Sequence, residues 1–222
     1  MSTLIEKSAI KRRSKGELTR NKILNAAIKI LASQGIKGTT HRAIATEAQL
    51  QLSLTTYYFK DIQELVHEAF MLSSTKTVTR AGAAWLPAFE VLDTFTKTQL
   101  KKLSLRTELA ETLTNMATRY LVKKVKEHPS ELIIEQLLFT EIQVTPKLRN
   151  LAKNHRQALL TPFFQLCSYF NKESAELDAD IMLTIFTQLE YRNLVIPSEE
   201  INIETIHETV KRVVNWVMQI KQ

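Results

Sequence analysis

Between residues 40 and 60 the chain carries a dense group of side chains that can bind a phosphate or contact the edge of a base. The segment is THRAIATEAQLQLSLTTYYFK. Hydroxyl and ammonium groups at helix ends reach phosphate oxygens, a role that we assign to Thr40, Tyr57 and Lys60. Side chains suited to base edges in a major groove are those of Arg42, Gln51, Ser53, Leu54 and Thr56, together with His41 and Tyr58. The alternative is one helix cap among ordinary surface residues.

Positive charge is concentrated in the same part of the chain. Residues 1–60 hold 11 Lys and Arg against 3 Asp and Glu, a net charge of +8, whereas the other 162 residues hold 19 against 20, a net charge of −1. This asymmetry indicates that one end of the chain meets a polyanion. A basic arm at its start would follow a DNA backbone or enter a minor groove, or would be a solvated tail; it comprises Lys11, Arg12, Arg13 and Lys15.

Three helices would position these side chains. An apolar stripe from Ile23 to Leu31 predicts a first helix, which would begin at the capping-box pair Ser14 and Glu17 and end at Gly35. Thr40 is the predicted N-cap of the second helix, and a turn at residues 49–51 leads into the third, with Leu50, Thr55 and Phe59 inward. The second helix would brace the third, so that the third enters a major groove about 12 Å wide.

The rest of the chain also predicts helices. Only four glycines occur in 222 residues, and the apolar residues recur at helical spacing, which indicates an all-α protein. A long helix is expected from Asp61 to about residue 84. Breaks at Pro87, Pro129, Pro146 and Pro197 then predict helices near 88–102, 105–127, 130–144, 146–171, 175–196 and 203–221.

Several other classes of protein lack support in the sequence. Cys167 is the sole cysteine, which leaves no disulfide framework or thiolate cluster and implies a reducing cytoplasm. The five histidines form no HExxH pattern, and no Gly-rich phosphate loop or nucleophile elbow occurs. No segment has the apolar length of a membrane span or of a signal peptide. We therefore expect no catalytic residues, metal, cofactor or membrane partner.

Residues 18–66 resemble the tetracycline-repressor (TetR) family of bacterial transcription regulators. The similarity lies in LTRNKILNAAIKILASQGIKGTTHRAIATEA and in LTTYYFKDIQEL. The resemblance implies an N-terminal three-helix helix-turn-helix domain and a larger C-terminal helical domain for effector binding and dimerisation. The expected organisation is a mobile basic arm at 1–14, a DNA-binding domain at 15–60 and the helical domain at 61–222.

Three residues in the turn depart from the family pattern. The family usually has Gly where this chain has Gln49, Ser or Thr where it has Gln51, and a small residue where it has Ser53. Losing Gly from a left-handed turn position costs about 1 kcal/mol, and a missing N-cap costs about the same. Ser53 could supply the cap instead, and Gln51 could bind adenine.

The resemblance also implies a small-molecule effector, which the sequence does not identify. Candidate ligand contacts in the C-terminal domain are Phe70, Trp85, Phe89, Met116, Arg119, Tyr120 and Phe139, with core packing as the alternative for Met116 and the aromatic ones. Threonines 107, 112, 114 and 118 and Asn115 could add polar groups or could form an exposed face.

Two predicted helices, 146–171 and 175–196, are apolar on more than one side. Pairing them with a second copy would form a four-helix bundle and place two recognition helices about 34 to 36 Å apart. The candidate dimer-interface residues are Leu159, Phe163, Leu166, Met182, Ile185, Phe186 and Leu189. The alternative is a thicker core within one chain.

Together these features predict a homodimer that binds double-stranded DNA in a sequence-specific way. The expected function is transcriptional regulation, as a repressor that a small-molecule effector releases from a palindromic operator. The competing functions are a non-specific architectural DNA-binding protein and a helical adaptor. Salt separates them, because sequence-independent binding falls steeply with ionic strength and shows no preferred site.

Overall fold

The computed structural model describes residues 2–143 and 145–220, with the backbone alone for residues 2–14. Within these ranges every regular element is a helix, so the all-α fold is confirmed. None of the described helices is long and apolar enough to span a membrane. The described part of the chain contains two short 3-10 turns, Gln99–Lys101 and Pro146–Leu148. It also contains nine α-helices, which are α1 (Ser2–Gly38), α2 (His41–Ala48), α3 (Leu52–Tyr58), α4 (Ile62–Leu92), α5 (Leu103–Glu127), α6 (Pro129–Glu141), α7 (Arg149–Phe170), α8 (Ala175–Asn193) and α9 (Ile203–Val217).

Helix α1 begins earlier than the sequence predicts. It starts at Ser2, so the capping pair Ser14 and Glu17 lies inside the helix and the predicted start is wrong. Residues 2–15 contain neither Gly nor Pro, and their Lys, Arg, Glu and Ala residues favour helix, which explains the extension. The side chains of Lys11, Arg12 and Arg13 lie outside the described residues, and their contact with DNA stays a prediction. The helix is interrupted as expected at Gly35, whose φ of 66° favours glycine.

The chain divides into two compact units. One comprises Met1–Thr75 with Ile133–Leu148, and the other comprises Lys76–Leu132 with Arg149–Gln222. The first unit therefore continues past Lys60, where the sequence places the end of the DNA-binding domain, and it includes a later segment of the chain. Two helices, α4 and α6, each run from one unit into the other.

In the first unit the predicted apolar stripe of α1 forms a buried core. Ile23, Leu24 and Leu31 are buried, as are Ile44 of α2 and Phe59 after α3. Arg20 packs over the Phe59 ring at 5.1 Å, and its guanidinium lies 3.0 Å from the carboxylate of Glu68 in α4. These contacts hold the start of α4 against the residues that end α3.

Helix α4 begins as predicted but ends later. The Asp61 carboxylate accepts the Glu64 N–H at 2.7 Å, while Glu64 accepts the Lys60 N–H at 3.0 Å, so the two carboxylates cap the helix reciprocally. The predicted break at Pro87 and a separate helix at 88–102 are wrong, because α4 runs through Pro87 to Leu92. An interior proline costs about 3 kcal/mol. Burial of Ala88 and Leu92 in the core offsets that cost.

The second unit is a helical core built from the end of α4 and from α5, α7, α8 and α9. Its buried residues include Leu113, Leu121, Leu166, Met182 and Val214. Helices α5 to α9 overlap the predicted segments, although most of them end before the residue that the sequence suggests. Helix α7 runs through Pro162. This core surrounds the cavity described below.

Candidate functional site

Two neighbouring threonines fix the entry into α2. Thr39 is buried, and its hydroxyl donates to the Gly35 carbonyl at 2.8 Å. Thr40 has an extended backbone, and its Oγ1 accepts the Ala43 N–H at 3.1 Å, so the predicted N-cap is confirmed. Thr40 is exposed, which leaves the other side of its hydroxyl open for a further hydrogen bond. One side chain can therefore cap the helix and contact a phosphate.

The turn between α2 and α3 adopts the conformation for which the family pattern uses glycine. Gln49 lies in the left-handed region with φ 52° and ψ 47°, and the Leu50 N–H donates to the Ala45 carbonyl at 2.9 Å. Gln51 occupies the N-cap of α3 without a side-chain hydrogen bond. Ser53 lies inside the helix, so the suggestion that it supplies the cap is wrong. The chain tolerates a strained left-handed residue and an uncapped α3.

Replacing Gln49 by glycine should stabilise the first unit by about 0.5 to 1 kcal/mol. Glycine removes the strain of the left-handed backbone, and this gain exceeds the conformational entropy that glycine loses on folding. Hydrogen exchange of the α2 and α3 amides measures this effect within the unit. Gln51→Gly is the matched control, since Gln51 is extended at φ −66° and ψ 140° and gains nothing from glycine. Slower exchange in the control than in Gln49→Gly would contradict the assignment of strain.

Helix α3 is anchored by one face and exposed on the other. Thr55 is fully buried and donates to the Leu52 carbonyl at 2.8 Å, and Phe59 is buried as predicted. Leu50 is half-buried. The opposite face is open, with Tyr57 79 % exposed. The exposed candidates are Thr40, Arg42, Gln51, Ser53, Thr56, Tyr57 and Lys60.

Three predicted contact residues are less open. His41, Leu54 and Tyr58 are half-buried. The His41 Nδ1 lies 3.2 Å from the Thr55 hydroxyl, which ties the start of α2 to α3, and Tyr58 packs edge-to-face on Tyr57 at 5.2 Å. These contacts give His41 and Tyr58 a packing role beside any contact with a ligand.

Leu52, which the sequence reasoning missed, is more open than Leu54. Leu52 is 45 % exposed at the start of α3. The signal was its position four residues before Thr56, which places both side chains on one helical face. A leucine there is the apolar group best placed to meet a thymine methyl.

A cavity lies within the second unit between α4, α5, α7, α8 and α9. Its volume is ≈ 70 Å³, or ≈ 780 Å³ when all of the empty space out to its open mouth is counted. Its wall is mainly apolar, and the aromatic part consists of Trp85, Tyr120, Phe163 and Phe186. Trp85 meets the edge of Phe163 at 4.9 Å, and Phe163 meets Phe186 at 5.1 Å. This arrangement can hold a small apolar molecule.

The structure brings together only part of the predicted ligand set. Trp85, Met116 and Tyr120 line the cavity, and Phe89 stacks on Trp85 at 5.5 Å without lining it. Arg119 is exposed in a separate surface groove, and Phe70 and Phe139 belong to the first unit. Among the polar candidates, Thr107 is exposed and Thr112 is half-buried, and both donate to helix carbonyls. Thr114 and Thr118 are buried, and their hydroxyls have no hydrogen-bond partner among the described residues, whereas Asn115 is exposed.

Sequence reasoning missed a buried ion pair in the cavity wall. The Lys124 Nζ lies 2.7 Å from the Glu190 Oε2, and the side chains are only 5 % and 7 % exposed. The sequence indicates each residue only within its own helix, because Lys124 follows Tyr120 by one helical turn and Glu190 interrupts an apolar run of α8. The partnership itself joins residues 66 positions apart.

Most of the predicted dimer-interface residues are buried within one chain. Leu159, Phe163, Leu166, Met182, Phe186 and Leu189 are buried, and the first five line the cavity. Such side chains have little surface left for a second copy, which favours the alternative of a thicker core. Ile185 is half-buried and borders a surface groove. The other apolar residues of this groove include Ile181 of α8, Trp216 of α9 and Ile220 after α9.

The single cysteine, Cys167, has a thiol of low reactivity. Burial raises the pKa of the Cys167 thiol to about 12, and the charge of Asp178 adds to the effect. Its sulfur lies 3.7 Å from the Met182 sulfur inside the core. A thiol with so high a pKa is protonated at neutral pH and is a poor nucleophile.

Comparison with known proteins found a family match for part of the chain and similar solved structures for most of it. Residues 23–69 match the model of the family described as bacterial regulatory proteins, tetR family. Among proteins of curated function no match was found. A candidate TetR-family transcriptional regulator from Mesorhizobium loti is 14 % identical with a TM-score of 0.70, over 92 % of this chain and 97 % of that one.

Other solved structures extend the same similarity. A TetR-family member from Streptomyces coelicolor A3 is 20 % identical with a TM-score of 0.61, over 88 % of this chain and 97 % of that one. The multidrug binding protein EbrR, solved with imidazole, is 20 % identical with a TM-score of 0.54, over 87 % of this chain and 93 % of that one. Residues 23–69 are thus similar to the tetR family of bacterial regulatory proteins, and the chain shares its fold with solved structures described as members of that family.

Proposed function

We propose that this protein is a sequence-specific transcriptional repressor that binds a palindromic operator as a homodimer and is released by a small molecule. The observation that carries the proposal is the open face of α3 beside the Thr40 cap, in a part of the chain with a net charge of +8. The proposal places the protein in the cytoplasm, where it meets the chromosome.

In this proposal the exposed residues divide into two kinds of contact. Thr40, Tyr57 and Lys60 bind phosphates and fix the orientation of α3, without selecting a sequence. Gln51, Leu52 and Thr56 lie at the start and on the open face of α3, where they meet base edges. Arg42 and Ser53 complete the polar surface. The DNA-contacting surface is thus small and depends on the dimer for its affinity.

The groove bordered by Ile185 and Trp216 supports dimerisation. Its apolar members lie on α8 and on the chain around α9, and Trp216 is 48 % exposed. An exposed tryptophan among isoleucines gains free energy when a second copy covers it. A homodimer formed there would carry two copies of α3, as a palindromic operator requires.

Trp216→Glu should raise the dimer dissociation constant by about 100-fold or more, because it places a charge in a surface that becomes buried. Analytical ultracentrifugation over a range of protein concentrations measures the change. Val195→Glu is the matched control, since Val195 is 85 % exposed outside the groove and should leave the dimer intact. Equal dimerisation of both variants would exclude this face as the interface.

The effector part of the proposal rests on the cavity of the second unit. The similarity to EbrR supports it, because that protein has been solved with imidazole, with proflavin and with malachite green. Helix α4 runs from the first unit into the second and offers a direct covalent route for coupling. A near-complete release of DNA requires an effector that binds the released state about 10⁴-fold more tightly than the DNA-bound state.

Competition binding at several salt concentrations separates the proposed function from an architectural protein or an adaptor. A specific regulator should prefer its operator over a scrambled duplex by about 10³-fold or more. An architectural protein would bind both duplexes equally with one steep salt dependence. An adaptor would bind neither. Either of the last two results rejects the proposal.

A further inference from the structure

The cavity wall combines two opposite charges with a surface that is otherwise mainly apolar. Lys124 of α5 and Glu190 of α8 both line the cavity and form the buried 2.7 Å ion pair. Thr187, one turn before Glu190 and also in the wall, carries a hydroxyl. The cavity therefore contains a compact polar site to which a ligand can orient.

The pair selects against ligands that carry a charge of their own. An ammonium or carboxylate entering the cavity must either break the pair or be buried without a full partner. Both outcomes replace a close buried charge contact by a poorer one at low dielectric, which is unfavourable. An uncharged hydroxyl avoids this cost, since it can donate to the Glu190 carboxylate or exchange hydrogen bonds with Thr187.

The shape of the cavity limits the size of the apolar part. The ≈ 70 Å³ of open space is less than the roughly 150 Å³ of an engineered cavity that binds benzene. Met116 and Met182 line the cavity, and methionine side chains adjust readily to a new neighbour. Their movement can make room for one ring, whose face or edge would then meet Trp85 and Phe163.

We infer that the cavity binds an uncharged aromatic molecule of about one ring that carries a hydroxyl or a similar hydrogen-bonding group directed at the Lys124–Glu190 pair. The inference rests on the proposed function, in which the second unit holds an effector. It adds the chemical class of that effector and names the ion pair as the group that determines specificity.

A fluorescence titration tests the class directly. Trp85 lines the cavity and Trp216 is the second tryptophan, so a Trp216→Phe protein reports on the cavity alone. The probes are p-cresol, toluene, p-toluate and 4-methylbenzylammonium, which share one methyl-substituted ring and differ in the polar group. We expect p-cresol to change the Trp85 emission at a concentration at least tenfold lower than either charged probe, and severalfold lower than toluene.

Two conservative variants test the role of the pair. In the same background, Glu190→Gln removes the negative charge of the wall and keeps the positive charge of Lys124. It should improve binding of p-toluate relative to 4-methylbenzylammonium by about tenfold or more. Lys124→Gln should shift the preference in the opposite direction. Circular dichroism shows whether each variant is folded. If a variant is not folded, the titration of the four probes against the protein that retains Lys124 and Glu190 still tests the inference.

Each outcome decides the inference. Tighter binding of a charged probe than of p-cresol, or no binding of any of the four probes, overturns it. The DNA competition experiment tests the proposed function separately, so failure of the titration with retained operator preference rejects the ligand class alone. Binding of p-cresol without operator preference retains the ligand class and rejects the regulatory function.

Discussion

Replacing Tyr57 by alanine should lower the affinity of the dimer for its operator by about 100-fold. Tyr57 is 79 % exposed on α3, so the change removes the proposed phosphate contact with little effect on packing. A hydrogen bond to a charged group contributes about 1.5 kcal/mol or more, and the dimer loses two of them, which gives about 3 kcal/mol. Fluorescence anisotropy with a labelled operator measures the dissociation constant.

Two further proteins show whether the loss is specific. Tyr57→Phe keeps the ring contact with Tyr58 and removes only the hydroxyl, and it should lose most of the same affinity. Leu177→Ala removes a 64 % exposed apolar side chain from the second unit and should bind as the native protein does. Native affinity in Tyr57→Phe would mean that the hydroxyl does not contact the backbone of the DNA.

Breaking the Lys124–Glu190 pair from one side should have the largest effect on stability. Glu190→Leu leaves the Lys124 ammonium buried without this partner, and such a loss costs about 3 to 5 kcal/mol. For a chain of this length the midpoint of thermal unfolding should fall by roughly 6 to 20 °C. Tryptophan fluorescence reports the transition of the second unit, because both tryptophans lie there.

The double variant Lys124→Met with Glu190→Leu distinguishes charge from packing. Apolar groups of similar volume can replace a buried pair at little cost, so its stability should lie within about 1 kcal/mol of the native value. If the double variant were as unstable as Glu190→Leu alone, the loss would arise from packing rather than from breaking the charge pair.

Local rules predicted the geometry of α2 and of the following turn. The Thr40 cap depends on a hydroxyl three residues before the N–H that it accepts, and the sequence contains that spacing. The left-handed position at Gln49 follows in the same way from the end of a short helix and from the family pattern. Both features involve only neighbouring residues, which explains why the sequence was sufficient.

Features that depend on distant residues were not predictable in this way. Pro87 indicates a break by its local chemistry, but packing of Leu92 in the core continues the helix. Periodicity shows that a face of α7 or α8 is apolar but not what covers it, so it does not distinguish a second copy from a thicker core within one chain. The pairing of Lys124 with Glu190 likewise requires the packed core.

The central claim is that the open face of α3 selects a DNA sequence, and selection from a randomised DNA pool at near-physiological salt tests it most directly. The native protein and Tyr57→Ala should be run in parallel, with Thr40 unchanged because its hydroxyl also caps α2. The account predicts that the native protein enriches one palindromic motif and that Tyr57→Ala enriches it far less. Failure of the native protein to enrich any motif would contradict the claim.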